Sequence, residues 1–174
     1  MSRNPALLES PSFETPGGTF ETFRAAFRAG RHDLEYRCLA EPFKEKHSLT
    51  FDRYPIVRAR ILREEPGLRW LASARLGAVN RIGRDEAEAR ATVLGRGLRV
   101  RFLREWFYEI RRTDGSRIDD FLEEPISHLL ERRETDWSVR LPGGPHAGLD
   151  PRAVERVTVG ADWKILEILP ETEP

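Results

Sequence analysis

The stretch LRVRFLREWFYEIRRTDGSRIDDFL, residues 98–122, decides the fold of this chain. Apolar residues alternate with polar residues on both sides of Asp114-Gly115. An Asp-Gly pair between two alternating runs is the strongest short-range signal for antiparallel strands joined by a tight turn. We therefore predict a β-hairpin with its turn at Asp114-Gly115.

The length of the turn fixes which residues of the two strands oppose each other. A two-residue loop pairs Ile110 with Asp119 and Tyr108 with Phe121, and opposed residues share a face. A β-bulge near Leu103 would exchange the two faces beyond it. Without a bulge, three polar residues interrupt the apolar face, and they are informative because buried polar groups need partners or a function. The members of this face are Leu98, Val100, Phe102, Arg104, Trp106, Tyr108, Ile110, Asp119, Phe121 and Glu123.

Composition places the chain among globular proteins. Its 174 residues suffice for one domain with a substantial core, and 33% of them are charged. No apolar run reaches the roughly 18 residues of a membrane-spanning helix, and the N-terminus lacks the apolar segment of a signal peptide. The formal net charge is zero, so we expect neither a nucleic-acid nor a membrane partner. Cys38 is the only cysteine, which predicts a cytoplasmic location without a disulfide.

The first part of the chain has a helical pattern. Residues 1–18 contain proline, serine and glycine and are expected to form a flexible leader. Thr19 is the predicted N-cap of a first helix, which ends at Gly30. The apolar face of this helix consists of Phe20, Phe23 and Phe27.

Further helical stretches follow. Asp33 is predicted to cap a short helix that contributes Cys38 to the core. A third helix is predicted from about Phe51 to Glu65, with Pro55 in its first turn. Residues 68–79 are predicted to add further helical turns.

Beyond Arg84 the apolar period changes to alternation, which predicts strands. Between these strands and the end of the chain, residues 126–133 could form one helical turn or a strand, and residues 137–141 could form a short strand. A second turn at Gly160-Ala161-Asp162 is predicted to lead into a last strand, Trp163–Leu169. The first strand of this region has a face of Ala87, Ala89, Ala91 and Val93.

This layout resembles the NTF2-like superfamily, which is also described as SnoaL-like or ketosteroid-isomerase-like. The resembling segments are TFETFRAAFRAGRHDLEYRCLA, VRFLREWFYEIRRTDGSRIDDF and ADWKILEIL. The resemblance implies one α+β domain over residues 19–174, in which N-terminal helices pack on a strongly twisted antiparallel sheet that forms a cone. Residues 123–154 have no counterpart in this layout and are expected to form an insertion. It also implies a pocket in the cone, although this fold serves enzymes, carriers and assembly modules alike.

Asp119 is the first candidate for chemistry. In enzymes of the resembling fold an aspartate in the cone moves a proton, so the resemblance implies a catalytic role for Asp119 with Tyr108 and His47 as its partners. An apolar wall would raise the pKa of such an acid. The simpler alternative, which we weight more heavily, is that Asp119 forms an ion pair at the end of its strand.

The remaining candidates are predicted to contact a ligand. Arg104 is suited to a carboxylate or phosphate, but a salt bridge between Arg104 and Glu123 is the favoured alternative. Trp106 and Phe121 would form an apolar wall, and Tyr54 is expected beside His47 at the mouth of the cone.

The sequence contains no metal-binding, phosphate-binding or nucleophile motif, so we expect no metal and no cofactor. The function predicted first is binding of a small apolar or weakly acidic ligand in the cone. The alternatives are an isomerase-like enzyme with Asp119 as general base and a non-catalytic dimeric assembly module. A homodimer through the sheet is expected because the last strand, Leu103, Phe107 and Leu122 leave apolar groups away from the core.

Overall fold

The computed structural model describes residues 11–122, 130–133, 136–139 and 151–171, and the side chains of residues 118–122, 130–133, 136–139 and 151 lie outside this description. Helices come first and an antiparallel sheet follows, which confirms the α+β class. The chain divides into two compact units. The helical unit comprises the residues up to Arg104 together with those from Asp162, and the hairpin unit comprises Glu105–Ala161.

The first helix, α1, spans Pro16–Ala29. Its N-cap is Thr15, whose hydroxyl oxygen accepts a hydrogen bond of 3.0 Å from the Gly18 amide in the first turn. The predicted N-cap Thr19 is therefore wrong, because proline suits the first helical position and the helix starts one turn earlier. Thr19 is buried instead, and its hydroxyl donates to the Trp163 carbonyl over 2.7 Å.

The other predictions for α1 are confirmed. Phe20 and Phe23 are buried, and Phe27 packs against the same core while partly exposed. Gly30 ends the helix with a φ of 67°, a left-handed conformation that glycine adopts without a steric cost.

Three helices follow α1. The predicted cap at Asp33 is wrong, because the next helix starts at His32 and Asp33 lies in its first turn, where it accepts a hydrogen bond of 2.9 Å from Arg31. Pro55 lies in the first turn of its helix, as predicted. The helices are α2, His32–Arg37; α3, Glu41–Lys46; and α4, Tyr54–Glu64.

A 3-10 helix over Pro66–Ser73 leads into the first strand. The prediction of helical turns up to residue 79 is wrong, because Arg75 already pairs with Thr92 in the sheet and pairing overrides the local helical pattern. The strands are β1, Arg75–Arg81; β2, Glu86–Val93; β3, Arg96–Arg112; β4, Arg117–Leu122; β5, Leu130–Arg133; β6, Asp136–Val139; and β7, Val154–Pro170.

The main sheet has the order β1-β2-β3-β4, and β7 also pairs with β3. A separate antiparallel pair consists of β5 and β6, and β6 confirms a short strand near Trp137. Most of the predicted insertion over residues 123–154 lies outside the described residues.

The hairpin of β3 and β4 is confirmed, but its predicted register is wrong by one residue. The Arg112 amide donates to the Ser116 carbonyl over 2.9 Å, so the loop contains three residues. Gly115 has a φ of 83° and takes the left-handed position that a three-residue hairpin loop requires. The observed pairs include Tyr108 with Asp120, Glu109 with Asp119, and Phe107 with Phe121.

A second correction concerns β7, which is one continuous strand through the predicted turn at Gly160-Ala161-Asp162. Gly160 lies beneath the ring of Phe107, where a Cβ atom would overlap the ring. Glycine in the interior of a strand often marks such a close approach instead of a turn.

The core of the helical unit lies between the helices and one face of the sheet. The predicted alternation of buried and more exposed side chains is confirmed on β2 and on the first half of β3. Backbone of the α2–α3 connection also lies along β7, since the Ile165 amide donates to the Cys38 carbonyl over 2.7 Å. The buried apolar sheet residues of this core are Ala87, Ala89, Ala91, Val100, Phe102, Trp163 and Ile165.

Candidate functional site

A buried carboxylate in the helical layer is the clearest candidate site. The side chain of Glu35 has no exposed surface. Its Oε2 atom accepts hydrogen bonds from the Tyr54 hydroxyl at 3.0 Å and from Arg58 Nε at 2.6 Å. Its Oε1 atom is also buried and accepts no hydrogen bond from the residues that the structure describes. The two oxygens of one carboxylate therefore differ sharply in their surroundings.

Three helices hold this carboxylate in place. Tyr54 and Arg58 are four residues apart on α4, so both point from the same face of that helix towards α2. The Arg58 guanidinium lies 4.3 Å from the centre of the Phe27 ring and also donates to the Phe27 carbonyl over 3.3 Å. These contacts fix the orientation of Arg58 and thereby that of the Glu35 carboxylate.

A row of aromatic rings leads away from Glu35. The ring centres of Tyr54 and Tyr36 are 5.7 Å apart, and those of Tyr36 and Phe51 are also 5.7 Å apart. Tyr54 is buried, whereas Phe51 is 57% exposed. The row thus extends from the buried acid to the surface of the helical unit.

Burial controls the protonation of the neighbouring groups. It raises the pKa of the Tyr54 hydroxyl, and the charge of Glu35 raises it further, so Tyr54 is a hydrogen-bond donor at neutral pH. Burial also raises the pKa of the Cys38 thiol to about 12, which the nearby Lys164 charge only partly offsets. Cys38 is therefore a protonated core residue, as predicted, and not an activated nucleophile.

The predicted site residues of β3 lie in different surroundings. Arg104 is half-buried in the helical unit. Tyr108 is buried in the hairpin unit, where Trp106 packs against it and Ile110. The side chains of Asp119 and Phe121, and all of Glu123, lie outside the described residues. The observed register nevertheless places Asp119 opposite Glu109, which corrects the predicted face shared by Asp119 and Tyr108.

His47 and Tyr54 take part in separate contacts. His47 is exposed at the end of α3, with its ring centre 4.5 Å from that of Phe43. Tyr54 is buried and donates to Glu35. The predicted neighbours at the mouth of the cone are therefore an exposed histidine and a core tyrosine.

Sequence reasoning did not identify Glu35 or Arg58. A signal was present, because Glu35 and Cys38 are three residues apart and share a helical face with the core. An acid in such a position predicts a buried partner, but the partner in α4 is 23 residues away along the chain.

Among the described residues, no group of three or more His, Cys, Asp or Glu side chains is arranged to hold a metal ion. None of the helices in residues 11–122 is long and apolar enough to cross a membrane. No protein family, curated protein or solved structure matches the chain. The fold and the site define an α+β protein with a buried glutamate in its helical layer.

Proposed function

We propose that this protein is an NTF2-like small-molecule-binding protein whose ligand is largely apolar and carries a weakly acidic hydroxyl group, as a phenol or an enol does. The observation that carries this proposal is the Oε1 atom of Glu35, which is buried without a donor from any described residue. A buried acceptor without a hydrogen bond costs about 1–3 kcal/mol of folding free energy. Proteins therefore rarely bury an acceptor without a donor unless the acceptor has a function.

The charges around Glu35 favour a neutral donor. Arg58 already supplies one positive charge to the carboxylate, at 2.6 Å. A second cation would add an unbalanced charge in the core, and an anion would be repelled by the carboxylate. A hydroxyl group supplies the missing hydrogen bond without adding a charge.

The aromatic row of Tyr54, Tyr36 and Phe51 supports an aromatic or otherwise flat ligand body. Rings prefer edge-to-face or offset contacts with each other, and such contacts add to the free energy gained from burying apolar area. The exposed Phe51 end of the row offers the entry side.

The test is a thermal-shift comparison of substituted phenols with their methyl ethers, which have nearly the same shape but no donor. A ligand of the folded state raises the melting temperature by mass action. We expect phenols to stabilise the wild type more than the ethers do, and Glu35→Gln to remove this preference because the amide donates where the carboxylate accepted. Asp33→Asn is the matched control, since Asp33 is an exposed acid on the same helix.

Equal shifts for phenols and ethers in the wild type would contradict the proposal. Loss of the preference in both Glu35→Gln and Asp33→Asn would also contradict it, because the effect would then be one of net charge. Either result would leave Glu35 as a structural ion-pair partner of Arg58.

The second candidate is an isomerase-like enzyme with an aspartate of β4 as general base and Tyr108 beside it in the hairpin unit. The register of the hairpin, which opposes Tyr108 with Asp120, favours Asp120 over Asp119 as the acid of such a pair. If Asp120→Asn abolishes turnover and Asp119→Asn retains it, the result would support an enzyme whose general base is Asp120 instead of Asp119. Turnover that neither variant alters would exclude both aspartates as the general base.

A further inference from the structure

The turn between β2 and β3 holds a leucine in an unfavourable backbone conformation. Val93 pairs with Arg96, so the loop consists of Leu94 and Gly95 alone. Both loop residues have a positive φ, 48° for Leu94 and 79° for Gly95. Two-residue hairpin loops of this kind favour asparagine, aspartate or glycine at the first position. Leucine costs folding free energy there, because its Cβ atom lies too close to the following carbonyl oxygen.

The fold does not return this cost through packing. The side chain of Leu94 is 71% exposed, and it belongs to neither apolar core of the described residues. Asparagine at this position would relieve the strain without exposing an apolar surface. A residue that is both strained and exposed is explained when it makes a contact outside its own chain.

A tryptophan lies at the same end of the sheet. The 3-10 helix over Pro66–Ser73 packs against β2 and leads into β1, whose first residue, Arg75, pairs with Thr92. Thr92 is two residues before Leu94. The second half of the 3-10 helix is thereby held at the strand ends, and its Trp70 is 52% exposed. Two large exposed apolar side chains are therefore found at one end of the sheet.

Arginines accompany these two side chains. Arg69, Arg75 and Arg96 are exposed and form no ion pair within the described residues. Residues 66–84 and 89–104, which supply this end of the sheet, contain no aspartate or glutamate. We refer to Arg69, Trp70, Arg75, Leu94 and Arg96 together as the sheet-end patch.

Two observations distinguish the sheet-end patch from other exposed arginines. Two exposed arginines of α4 also lack an ion pair among the described residues, but Glu64 and Glu65 form the end of that helix. One acid does reach the sheet end, since Glu171 lies over Gly97, but it is paired with Arg90 at 2.8 Å. The sheet-end patch thus combines positive charge that no described acid balances with exposed apolar side chains.

We propose that the sheet-end patch binds the surface of a phospholipid bilayer that contains anionic lipids. Leu94, at the end of its hairpin, enters the acyl region, and its burial there offsets the strain of the turn. Trp70 lies at the level of the headgroups, which tryptophan favours. The three arginines bind lipid phosphates, for which the guanidinium geometry is suited.

The exposed leucine favours a bilayer over a nucleic acid as the partner. A nucleic acid also offers phosphates, but it provides no apolar phase for a leucine side chain. The zero net charge of the chain predicts no general attraction to membranes. The attraction proposed here is local, because the acids of the chain are absent from the segments that form the patch. This proposal is independent of the ligand proposed for Glu35.

Cosedimentation of the whole chain with lipid vesicles tests the proposal. One set of vesicles consists of phosphatidylcholine alone, and the other is an equal mixture of phosphatidylcholine and phosphatidylserine. We expect binding to the mixed vesicles, and at least about tenfold weaker binding to phosphatidylcholine alone. Raising the salt to about 1 M, where the screening length falls to about 3 Å, should release most of the bound protein.

Leu94→Asn separates a binding role from a structural role. Asparagine suits the positive φ, so the melting temperature should rise by about 2–4 °C. Binding to the mixed vesicles should nevertheless weaken at least about tenfold, because no leucine is buried in the bilayer. The matched control is Ile82→Asn, which removes an exposed apolar side chain just beyond the opposite end of β1 and should leave binding unchanged.

Two double variants that remove the same charge test the arginines. Arg69→Gln/Arg96→Gln should reduce the preference for mixed vesicles about tenfold. Arg60→Gln/Arg63→Gln removes two exposed arginines from α4 and should retain the preference.

Four results would overturn the proposal. The first is no sedimentation with either kind of vesicle at low salt. The second is a Leu94→Asn variant that binds the mixed vesicles as tightly as the wild type does. The third is a control double variant as defective as the patch variant, because net charge alone would then explain binding. The fourth is binding to a single-stranded RNA oligonucleotide but not to vesicles, which would assign the patch to a nucleic acid.

Discussion

The Arg58 guanidinium lies 2.6 Å from the carboxylate of Glu35, an acid without exposed surface, and joins α4 to α2. Burying two charges costs solvation free energy that their attraction only partly returns. The pair therefore contributes little net stability, but removing one partner leaves a charge in the core. This asymmetry leads to the first prediction.

Arg58→Met should lower the free energy of unfolding by about 3 kcal/mol, because Glu35 loses its countercharge. The double variant Glu35→Leu/Arg58→Met should be more stable than the single variant, since both charges are then absent. Urea unfolding followed by circular dichroism measures both. The control is Arg60→Met, an exposed arginine of the same helix, for which a change within about 0.5 kcal/mol is expected. A double variant less stable than Arg58→Met would contradict the prediction.

Alkaline pH should destabilise the protein through Cys38 and Tyr54. Burial raises the pKa of Cys38 from 9.0 to about 12 and also raises that of Tyr54, so both groups hold their protons more tightly when folded. The unfolded state releases these protons first, and stability present below about pH 9 is lost as the pH rises towards 12. Urea midpoints between pH 7 and pH 11, at steps of about one unit, measure this loss.

Cys38→Ala separates the two contributions to the alkaline loss. It removes one of the two titrating groups, so the stability of the variant should fall less steeply above about pH 9, whatever its stability at neutral pH. Parallel curves for the variant and the wild type would show that the Cys38 thiol does not titrate on unfolding. The same thiol should resist alkylation at pH 8 until denaturant is added, because it is buried.

Gly160 should tolerate no larger residue while Phe107 is present. A Cβ atom at position 160 would overlap the Phe107 ring, and overpacking of this kind costs about 1–3 kcal/mol. Gly160→Ala should therefore be destabilised, and adding Phe107→Leu should recover part of the loss. A double-mutant cycle in urea gives the coupling free energy between the two positions. Additive losses would show that the two residues do not touch.

Replacing two glycines at the ends of α1 by alanine should change the stability of the protein in opposite directions. Gly30 has a φ of 67°, so Gly30→Ala should cost about 1 kcal/mol. Gly17 lies in the first turn with no other atom within 4 Å of an added Cβ, so Gly17→Ala should stabilise the protein by about 0.5–1 kcal/mol. Thermal unfolding of both variants measures the difference. A gain in stability for Gly30→Ala would contradict the observed left-handed end of α1.

Local sequence patterns identified several helices and strands correctly, but they located the ends of these elements less accurately. The phenylalanine spacing of α1, the alanine alternation of β2 and the Asp114-Gly115 turn each involve residues close together in sequence, and each was found where predicted. The capping predictions at Thr19 and Asp33 missed by a few residues, because several adjacent side chains were chemically suitable. The one-residue register error followed from a three-residue loop in place of a two-residue loop.

The sequence by itself determined that helices come first and antiparallel strands follow, because a period of three to four or of two residues is set by near neighbours. It also determined which face of β3 enters the core. It did not determine β1, where pairing with β2 overrode a helical pattern. Only the tertiary structure decided that Glu35 is buried against Tyr54 and Arg58, and that β7 continues through Gly160 beneath Phe107. These features depend on contacts between residues distant in the chain, and no local pattern specifies which distant side chain will supply a partner.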